Sequence, residues 1–444
     1  MVFSAASLRA VLDTHVPREA RGLVVALSGG ADSAALLAAA AAADYRELPL
    51  RALHIDHGLQ AAAAEFRVIC ARLCERLGVA LTIVPVLVDE AAGVSLEAAA
   101  RDVRYAALAA ALEPGECLLT AHHREDQAET LLLQALRGAG VKGLSAMPVC
   151  RVLGAGWHVR PLLDVPQSEL ERFGAHLADL KSIDPMNGDL RFDRSYLRLK
   201  IWPRLVQRWP GAGIALSRTA RHMAEAQALL DGAAAADVSR LRDGGALLVP
   251  GLRALSLLRR VNAVRFWLVE AEVEPPPASR LGEALRQVLD AGSDQQPAVV
   301  WGSAALRRYR HRLFLTPANP PRLQAPQSWA ARADYRLDLG QGLGSLVWVA
   351  QIGGIAAENL PPSLIVRRRA GGETLKPQHL GRTQSVQHLC QARGVLPWMR
   401  DALPLIFAGD ALIAVADLWE DARFSAAADA PGLAVQWRNA PIVV

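Results

Sequence analysis

The chain has 444 residues, of which 52% are hydrophobic and 21% are charged, and its formal net charge is +5. This length predicts about two or three domains, and no apolar run reaches the length of a membrane span. The five cysteines include no Cys-x-x-Cys pair, which argues against a disulfide framework and a cysteine-based metal site. Because the first residues also lack the pattern of a secretory signal, we expect a reducing, cytoplasmic location.

The most informative segment is a strand, a glycine turn and a helix near the N-terminus. Residues 23–27 predict a buried parallel strand and residues 34–43 predict a helix. The turn between them consists of Ser28, Gly29, Gly30, Ala31, Asp32 and Ser33. Glycines let the backbone approach an anion closely, and a helix N-terminus offers unpaired N–H groups. The segment therefore predicts a phosphate site, and the alternative is a glycine turn that only caps a helix.

Short apolar strands alternate with helical segments throughout the first half of the chain. Further strands are predicted at residues 50–55, 81–86 and 117–121. This alternation predicts a doubly wound parallel sheet, in which functional residues lie at the carboxyl ends of the strands. His54 ends the second strand, where it either contacts a ligand or serves only as a hydrogen-bonding core residue.

The fourth predicted strand is followed by a dense group of polar residues. Asp126 and Glu129 lie three residues apart on one face of a helix predicted to begin near Arg124. A carboxylate pair suits Mg²⁺, and His122 beside it can donate to a phosphate or carry a proton. The alternative is an acidic helix start that complements the helix dipole.

Arg101 and Arg104 share one face of a predicted helix that precedes the fourth strand. Their guanidinium groups suit phosphate oxygens, and the alternative is surface pairing with Glu97. A glycine-rich, basic segment follows at residues 136–148 and is expected to lack regular structure.

Several motifs occur together in one order and at compatible spacings. They are S-G-G-x-D-S, H-x-D-H-G, A-R-x-x-R-Y, A-H-H-x-E-D-Q-A-E-T, R-G-x-G-x-x-G-L, R-P-L-L and F-x-R-x-x-L-R. In these motifs the chain resembles the long-form tRNA(Ile)-lysidine synthetases of the N-type ATP pyrophosphatase, or PP-loop, superfamily. The resemblance is strong over residues 20–210 and resumes in the C-terminal part of the chain.

The resemblance implies a specific reaction. ATP adenylates C2 of the wobble cytidine in tRNA(Ile) with a CAU anticodon, and free lysine then displaces AMP to give lysidine. Pyrophosphate and AMP are released, and decoding changes from AUG to AUA. The implied cofactors are ATP and Mg²⁺, the implied partners are tRNA(Ile) and free lysine, no membrane is involved, and the expected state is a monomer or homodimer.

The resemblance also implies roles for individual residues. The catalytic set is Asp32, His122, Asp126, Glu129, Arg104 and Arg194. The ATP-binding set is Ser28, Gly29, Gly30, Ala31, Asp32, Ser33, His54 and Arg101, and the Mg²⁺ ligands are Asp32, Asp126 and Glu129. For Arg194 the alternative is a structural arginine that pairs with Asp193 or with a helix end.

The expected organisation has four parts. Residues 1–212 form the catalytic PP-loop domain with its doubly wound α/β sheet, and residues 213–316 form a helical tRNA-binding domain. Residues 317–359 are a linker with connecting strands, and residues 360–444 form a small α+β domain that binds tRNA. Helices are predicted at 214–231, 252–273 and 279–291, and strands at 298–301 and 306–315. The basic run 307–312 is either a phosphate track or a solvated strand.

Two other functions remain open at this point. One is a PP-loop enzyme that thiolates a tRNA base, which needs a persulfide cysteine or iron–sulfur ligands near the glycine turn. The other is a nucleotide-sensing RNA-binding protein without catalysis, which the presence of Asp32, Asp126 and Glu129 argues against. Pyrophosphate release that depends on both tRNA and lysine would separate the three functions.

Overall fold

The computed structural model describes residues 2–56, 63–86, 96–180, 188–292, 295–340, 342–378 and 380–441. The chain divides into two compact units, Met1–Leu230 and Asp231–Val444. Over these described ranges, no helix combines the length and the apolar character that a membrane span requires.

The first unit is built on one six-stranded sheet with the spatial order β3-β2-β1-β4-β6-β5. Its strands are β1 (Gly22–Ala26), β2 (Leu50–Asp56), β3 (Ala80–Pro85), β4 (Glu116–Leu119), β5 (Cys150–Leu153) and β6 (Gly156–Val159). Neighbouring strands are parallel except for the edge strand β5, which runs antiparallel to β6. The predicted parallel sheet is confirmed, and its four predicted strands agree to within about two residues at each end.

Helices cover both faces of this sheet. In chain order, the helices of this part of the chain are α1 (Ala5–His15), α2 (Ala31–Ala43), α3 (Ala63–Leu77), α4 (Leu96–Ala110), α5 (Arg124–Leu136), α6 (Val141–Leu144), α7 (Gln167–Phe173), α8 (Asp193–Tyr196), α9 (Trp202–Arg208) and α10 (Ala212–Leu241), the last of which extends past Leu230. Two 3₁₀ segments, Tyr45–Glu47 and Gly174–Leu180, and a π-helical turn, Leu197–Ile201, complete the unit. The expectation of an irregular segment at 136–148 is wrong at α6, a single helical turn.

Alternating side chains of β1 explain the two layers of helices. Leu23 and Val25 belong to a buried cluster that includes α1, α2 and α3, whereas Val24 belongs to a separate cluster with Leu108 of α4. Successive side chains of a strand point to opposite faces, so an unbroken apolar strand requires cover on both sides.

The second unit contains four sheets. Its strands are β7 (Arg242–Asp243), β8 (Ala246–Leu248), β9 (Ala298–Trp301), β10 (Ala304–Tyr309), β11 (Arg312–Pro317), β12 (Gln327–Ala330), β13 (Arg336–Asp338), β14 (Ser345–Ile352), β15 (Ser363–Arg367), β16 (Thr374–Leu375), β17 (Gln384–Ser385), β18 (Leu405–Ala408), β19 (Ala411–Val415), β20 (Trp419–Glu420) and β21 (Pro431–Arg438). The sheet orders are β7-β8-β11-β10-β9, β12-β15-β18-β19-β20, β13-β14-β21 and β16-β17.

The helices of this unit lie mostly in its first half. They are α11 (Val249–Ala254), α12 (Leu257–Glu270), α13 (Ala278–Asp290) and α14 (Val386–Arg393), with 3₁₀ turns at Ala357–Asn359, Pro397–Met399 and Ala422–Phe424. The helices α11 to α13 share one apolar core with β8, β10 and β11, and the C-terminal sheets enclose another. The predicted fold class, an α/β domain followed by a helical region and a small α+β region, is confirmed.

Two sequence predictions in this unit are wrong in detail. The predicted helix 252–273 is two helices, α11 and α12, which are separated at Leu255 and Ser256. The predicted strand 306–315 is a hairpin of β10 and β11, and the chain reverses at Arg310, which adopts a φ of 53°.

The basic run at 307–312 makes several bonds within the second unit. Arg307 donates to Thr316 Oγ1 at 3.0 Å, and the buried Arg308 donates to the carbonyl oxygens of Leu289 at 2.9 Å and Ala291 at 2.8 Å. These two arginines therefore hold the hairpin in place, which is a structural role that the sequence alternatives did not include.

Candidate active site

The glycine turn joins the carboxyl end of β1 to the start of α2. Gly29 has a φ of 86°, and a Cβ atom built there would lie 2.9 Å from Cδ1 of Phe66, so only glycine fits. Gly30 occupies the N-cap position, and no side chain caps α2. The first N–H groups of the helix therefore have no side-chain cap, and anion binding at this turn stays a prediction.

Two serine hydroxyls brace this turn. Ser33 Oγ accepts the backbone N–H of Ser28 at 3.2 Å and donates to the carbonyl oxygen of Gly30 at 3.0 Å. Ser28 Oγ lies 3.0 Å from Ser33 Oγ and accepts the backbone N–H of Gly30 at 3.3 Å. The turn thus has a fixed shape that does not depend on a bound group.

Asp32 lies in the first turn of α2. Its Oδ1 atom is buried and has no hydrogen-bond partner among the described residues, while Oδ2 lies 3.8 Å from Nε2 of His123. Burial raises the pKa of this carboxyl group. A buried carboxylate oxygen without a partner is costly, so Asp32 is suited to a group that the polypeptide does not supply.

His123 is a site residue that the sequence analysis missed. Its Nδ1 lies 3.0 Å from Glu125 Oε2, and its Nε2 lies 3.4 Å from Asp126 Oδ2 as well as near Asp32. Burial opposes the charged ring, but the bond to Glu125 and the charges of Asp126 and Asp32 raise the pKa of His123. His123 therefore links the glycine turn to α5. The position of this histidine directly before α5 was the available signal.

Asp126 and Glu129 pair with two arginines, which we call the paired arginine cluster. Arg194 donates to Glu129 Oε2 and Asp126 Oδ1, both at 3.0 Å. Arg198 donates to Glu129 Oε1 and Oε2 and to Asp126 Oδ1, all at 2.8 Å. Burial favours the neutral acid at Asp126, but the charges of His123 and Arg194 lower its pKa to about 2.

The contacts of the paired arginine cluster argue against one alternative for Arg194, a pairing with its neighbour Asp193. Arg194 pairs with Asp126 and Glu129, whereas its neighbour Asp193 lies 3.5 Å from Arg137. Arg198 was missed, although the F-x-R-x-x-L-R motif contains it. Arg194 and Arg198 are four residues apart at the junction of α8 and the π-helical turn, so both reach the same face of α5.

Four further arginines surround Tyr105, and we call them the unpaired arginine cluster. The guanidinium carbons of Arg101, Arg104 and Arg151 lie 5.2, 5.7 and 5.2 Å from the centre of the Tyr105 ring. Arg160 donates to the carbonyl oxygen of Pro148 at 2.7 Å, and its buried Nε has no partner in the described chain. Burial lowers the pKa of both Arg104 and Arg160.

No carboxylate in the described part of the chain forms an ion pair with this second cluster. The alternative partner of Arg101 and Arg104, Glu97, has a side chain that lies outside the described residues. Arg160 is buried and Arg101 and Arg104 are half-buried, so an anion that binds there would offset positive charge that is partly removed from water. Arg101 and Arg104 were predicted as such ligands, while Arg151 and Arg160 were missed because they are distant in sequence. Tyr105 directly follows Arg104, but the sequence analysis gave it no role.

His122 lies beside the unpaired arginine cluster. Its Nδ1 lies 2.8 Å from Oγ1 of Thr120, and the same oxygen lies 2.8 Å from Nε2 of His158. Burial and the positive charges of Arg160, Arg194 and Arg101 outweigh the charge of Asp126 and lower the pKa of His122 to about 3. The imidazole is therefore neutral at physiological pH.

His54 faces the core rather than the open end of the sheet. Its Nδ1 donates to the carbonyl oxygen of Leu27 at 2.8 Å, and the side chain is buried. His54 thus holds the residue that precedes the glycine turn. A direct contact with ATP stays a prediction, and the second histidine of the H-x-D-H-G motif lies outside the described residues.

Three family models match this chain. A PP-loop domain matches residues 4–205, a TilS substrate binding domain matches 247–314, and a TilS substrate C-terminal domain matches 364–437. The chain is 42% identical over 416 residues to the tRNA(Ile)-lysidine synthase of Alkalilimnicola ehrlichii, with 92% of each protein covered. The chain belongs to the tRNA(Ile)-lysidine synthase family. It is therefore an enzyme of the PP-loop type, an ATP-binding ligase of tRNA modification.

Other relatives carry the same name. The tRNA(Ile)-lysidine synthase of Pseudomonas aeruginosa is 42% identical over 416 residues, with 90% of each protein covered. Among solved structures, the U34-tRNA thiolase NcsA from Methanococcus maripaludis covers 50% of this chain and 78% of its own, at 17% identity and a TM-score of 0.40. A crystal structure of a TILS C-terminal domain covers 26% of this chain, at 16% identity and a TM-score of 0.22.

The three carboxylates expected to bind Mg²⁺, those of Asp32, Asp126 and Glu129, differ in how many of their oxygens already accept hydrogen bonds. Within the described ranges, no three His, Cys, Asp or Glu side chains are grouped to hold a metal ion. Glu129 accepts arginine N–H groups at both oxygens, and Asp126 accepts them at Oδ1. Asp32 alone offers a buried oxygen without a partner. Mg²⁺ is commonly held by one or two carboxylates plus phosphate oxygens, and Asp32 fits that pattern.

Proposed function

We propose that this protein joins free lysine to C2 of the wobble cytidine of tRNA(Ile) with a CAU anticodon, using ATP. The observation that carries this proposal is the likeness over 92% of the chain to a protein named for that product. The site geometry supports it, because a fixed glycine turn, a carboxylate with one buried oxygen that lacks a partner, and an unpaired arginine cluster occur in one unit.

The glycine turn and the unpaired arginine cluster bind the triphosphate of ATP. The uncapped N–H groups of α2 donate hydrogen bonds to the β- and γ-phosphates, which leave as pyrophosphate. Arg101 and Arg104 supply positive charge that the described protein does not neutralise. A triphosphate provides the anionic charge that this cluster lacks, so ATP binding relieves repulsion among these arginines.

Asp32 would hold Mg²⁺, and metal ligation by Asp126 and Glu129 stays a prediction. When bound, Mg²⁺ neutralises negative charge on the leaving pyrophosphate. Asp32 itself is kept beside the turn by its place in α2 and by the nearby His123. Burial raises the pKa of Asp32, and a bound cation would lower it.

The reaction has two steps, adenylation of the cytidine and displacement of AMP by lysine. The C2 oxygen of the cytidine attacks the α-phosphorus of ATP, and the bond to pyrophosphate breaks. The neutral ε-amine of lysine then attacks C2, and the C2 oxygen leaves with AMP. The ring N–H of His122 donates a hydrogen bond to the phosphate that is transferred. Arg194, which is held by Glu129, stabilises negative charge near the activated base.

The two other functions have less support. Burial raises the pKa of Cys70 and Cys117 to about 12. Burial also raises the pKa of the thiols of Cys74, Cys150 and Cys390. Protonated, buried thiols are poor carriers of a persulfide, so thiolation is disfavoured. A protein that only senses nucleotides has no need of the free buried oxygen of Asp32.

Incorporation of labelled lysine into tRNA(Ile) tests the proposal. We expect incorporation that requires ATP, and pyrophosphate release that stops after one equivalent of tRNA when lysine is omitted. Asp32→Asn should reduce the rate of pyrophosphate release at least about a hundred-fold, since a bound metal supplies several kcal/mol of transition-state stabilisation. Asp44→Asn, at the exposed far end of α2, is the matched control.

Each arm has an outcome that contradicts the proposal. If the wild-type protein releases pyrophosphate without incorporating lysine, the proposed ligation of lysine is wrong. Near wild-type turnover of Asp32→Asn would remove the metal assignment.

We also propose that residues 360–444 bind the tRNA and that 213–316 form a second tRNA-binding part, with 1–212 catalytic and 317–359 connecting. The exposed Arg368 and Arg382 lie in the C-terminal part and contribute to its positive surface. Replacing both with glutamate should weaken tRNA binding and flatten its salt dependence while leaving ATP affinity unchanged. An unchanged tRNA affinity would contradict this assignment.

A further inference from the structure

A chain of hydrogen bonds connects Arg151 to His122, and we call it the Thr120 relay. Arg151 Nε donates to Nδ1 of His158 at 3.4 Å. His158 Nε2 and His122 Nδ1 each lie 2.8 Å from Oγ1 of Thr120. The relay contains no carboxylate, and its ends lie in the unpaired arginine cluster and at the proposed phosphate site.

The direction of every proton in this relay follows from its first member. An arginine can only donate, so Nδ1 of His158 is an acceptor and carries no hydrogen. A neutral His158 then carries its hydrogen on Nε2 and donates it to Thr120. The hydroxyl of Thr120 has one hydrogen, and among the described residues its oxygen contacts only Nε2 of His158 and Nδ1 of His122. Donation to Nδ1 of His122 is therefore the arrangement that uses this hydrogen. Consequently His122 bears its hydrogen on Nε2.

The opposite direction is unfavourable at one defined contact. If His122 donated from Nδ1, Thr120 would donate to Nε2 of His158, and His158 would carry its hydrogen on Nδ1. That hydrogen would face the Nε–H of Arg151, so two donors would oppose each other. His158 is fully buried and cannot turn toward solvent, and Arg151 could avoid this clash only by giving up its bond to His158 and its place over the Tyr105 ring.

We infer that Arg151, His158 and Thr120 are positioning residues that fix His122 as the Nε2–H tautomer. His122 thereby presents a neutral N–H donor, and not a lone pair, to an anionic group such as a phosphate oxygen. Only the catalytic consequence rests on the proposed function, because the tautomer is a property of the protein itself. The positions are set by the sheet, since Thr120 follows β4 and His158 lies opposite Leu118 in β6.

A second feature makes a neutral donor suitable at this position. The charges of Arg160, Arg194 and Arg101 act on His122, and burial together with these charges lowers its pKa to about 3. Burial and the charge of Arg160 likewise lower the pKa of His158 to about 2. Both rings therefore stay neutral in solution near pH 7, and a neutral ring has a single hydrogen whose place the relay determines.

Nitrogen NMR of the full-length protein labelled with ¹⁵N-histidine tests the inference directly. The chemical shifts of ring nitrogens distinguish protonated from unprotonated atoms, and a His122→Gln sample assigns the signal. We expect a protonated Nε2 and an unprotonated Nδ1 for His122 in the wild type. Thr120→Val and Arg151→Met should each give a mixture of tautomers, and Thr120→Ser should restore the wild-type pattern.

Kinetics of lysine incorporation provide the second readout. Thr120→Val should lower kcat about ten-fold with a smaller change in the KM for ATP, and Thr120→Ser should recover most of kcat. Arg151 is largely exposed, so Arg151→Met tests the relay with little risk to folding.

The outcomes separate the inference from the proposed function. A protonated Nδ1 on His122 in the wild type, or an unchanged tautomer in both Thr120→Val and Arg151→Met, would overturn the inference. A protein that shows the expected tautomers but incorporates no lysine would refute the proposed reaction and leave the relay standing.

Discussion

The two arginine clusters of the first unit lie near the same end of α5 and differ in how their charge is balanced. In the paired arginine cluster, Arg194 and Arg198 share the carboxylates of Asp126 and Glu129. In the unpaired arginine cluster, Arg104 and its neighbours surround Tyr105 without an ion pair to any described residue. One cluster is complete without a ligand, and the other is not.

This difference teaches that similar residues serve different ends within one site. Guanidinium groups that are bound bidentately by buried carboxylates are fixed in direction before any substrate arrives. Guanidinium groups without partners repel one another and gain most when an anion enters. Stability and ATP binding should therefore respond to different arginines, and the following experiments test that separation.

The largest expected effect on stability is at Glu129. Its side chain is 1% exposed and accepts bonds from both arginines of the paired cluster. Glu129→Gln leaves those arginines without their main counter-charge, so the free energy of unfolding of the first unit should fall by about 3 kcal/mol. Native-state hydrogen exchange at the amides of α5 measures this change.

Asp179→Asn is the matched control for Glu129→Gln. Asp179 pairs with Arg76, but both side chains are exposed, so the free energy of unfolding should change much less than in Glu129→Gln. Equal losses in the two variants would mean that burial of the paired cluster adds nothing to its stability.

The next effect concerns ATP binding at Arg104. Arg104→Met keeps the length of the side chain and removes its charge, so the KM for ATP should rise about thirty-fold, equivalent to about 2 kcal/mol. The free energy of unfolding should stay constant or increase, because repulsion with Arg101 is removed. Arg194→Met should instead lower both stability and activity.

Steady-state kinetics and urea unfolding of these two variants sharpen the comparison. If Arg104→Met were destabilised as much as Arg194→Met, the two clusters would not differ in the way described. A KM for ATP unchanged in Arg104→Met would show that its charge serves another anion.

The last comparison concerns the dependence of stability on pH. His158 is neutral in the folded protein because burial lowers its pKa to about 2, whereas an unfolded histidine titrates near about 6.5. Below pH 6.5 the unfolded chain therefore binds more protons, and the free energy of unfolding falls by up to about 1.4 kcal/mol per pH unit. His158→Gln should reduce this slope between pH 6.5 and 4.

The paired cluster should respond only at lower pH. The pKa of Asp126 is lowered to about 2, so its contribution is present above the unfolded value of about 3.9 and is lost as the pH falls toward 2. His123, whose pKa is raised, acts in the opposite direction but is unchanged in His158→Gln. Urea unfolding at several pH values checks the difference, and parallel slopes for wild type and His158→Gln would contradict it.

The sequence predicted those parts of the site that depend on local patterns. The apolar run before Ser28 and the glycines after it determine a strand and a turn whatever the rest of the chain does. Asp126 and Glu129 were found because helical spacing alone places them on one face. The glycine turn and α5 both follow the ends of strands, and those strand ends were predicted from the alternation of strands and helices.

The remainder depended on contacts between distant segments. Nothing near Glu129 in sequence indicates that Arg198 will neutralise it, and nothing near His122 indicates His158 as its indirect partner. The hairpin at Arg310 was missed because the apolar and basic residues of β10 and β11 form one continuous pattern. The chain reverses there through a single left-handed residue, which the propensity of arginine does not favour.

The serine bonds that brace the glycine turn have a thermodynamic consequence. Ordering a residue costs about 1–2 kcal/mol of conformational entropy, and Ser28, Gly30 and Ser33 are already ordered by their mutual bonds. That cost is met when the protein folds and does not recur when a nucleotide arrives. The turn therefore offers a preorganised cradle, and the measured affinity for phosphate would report the strength of the contacts themselves.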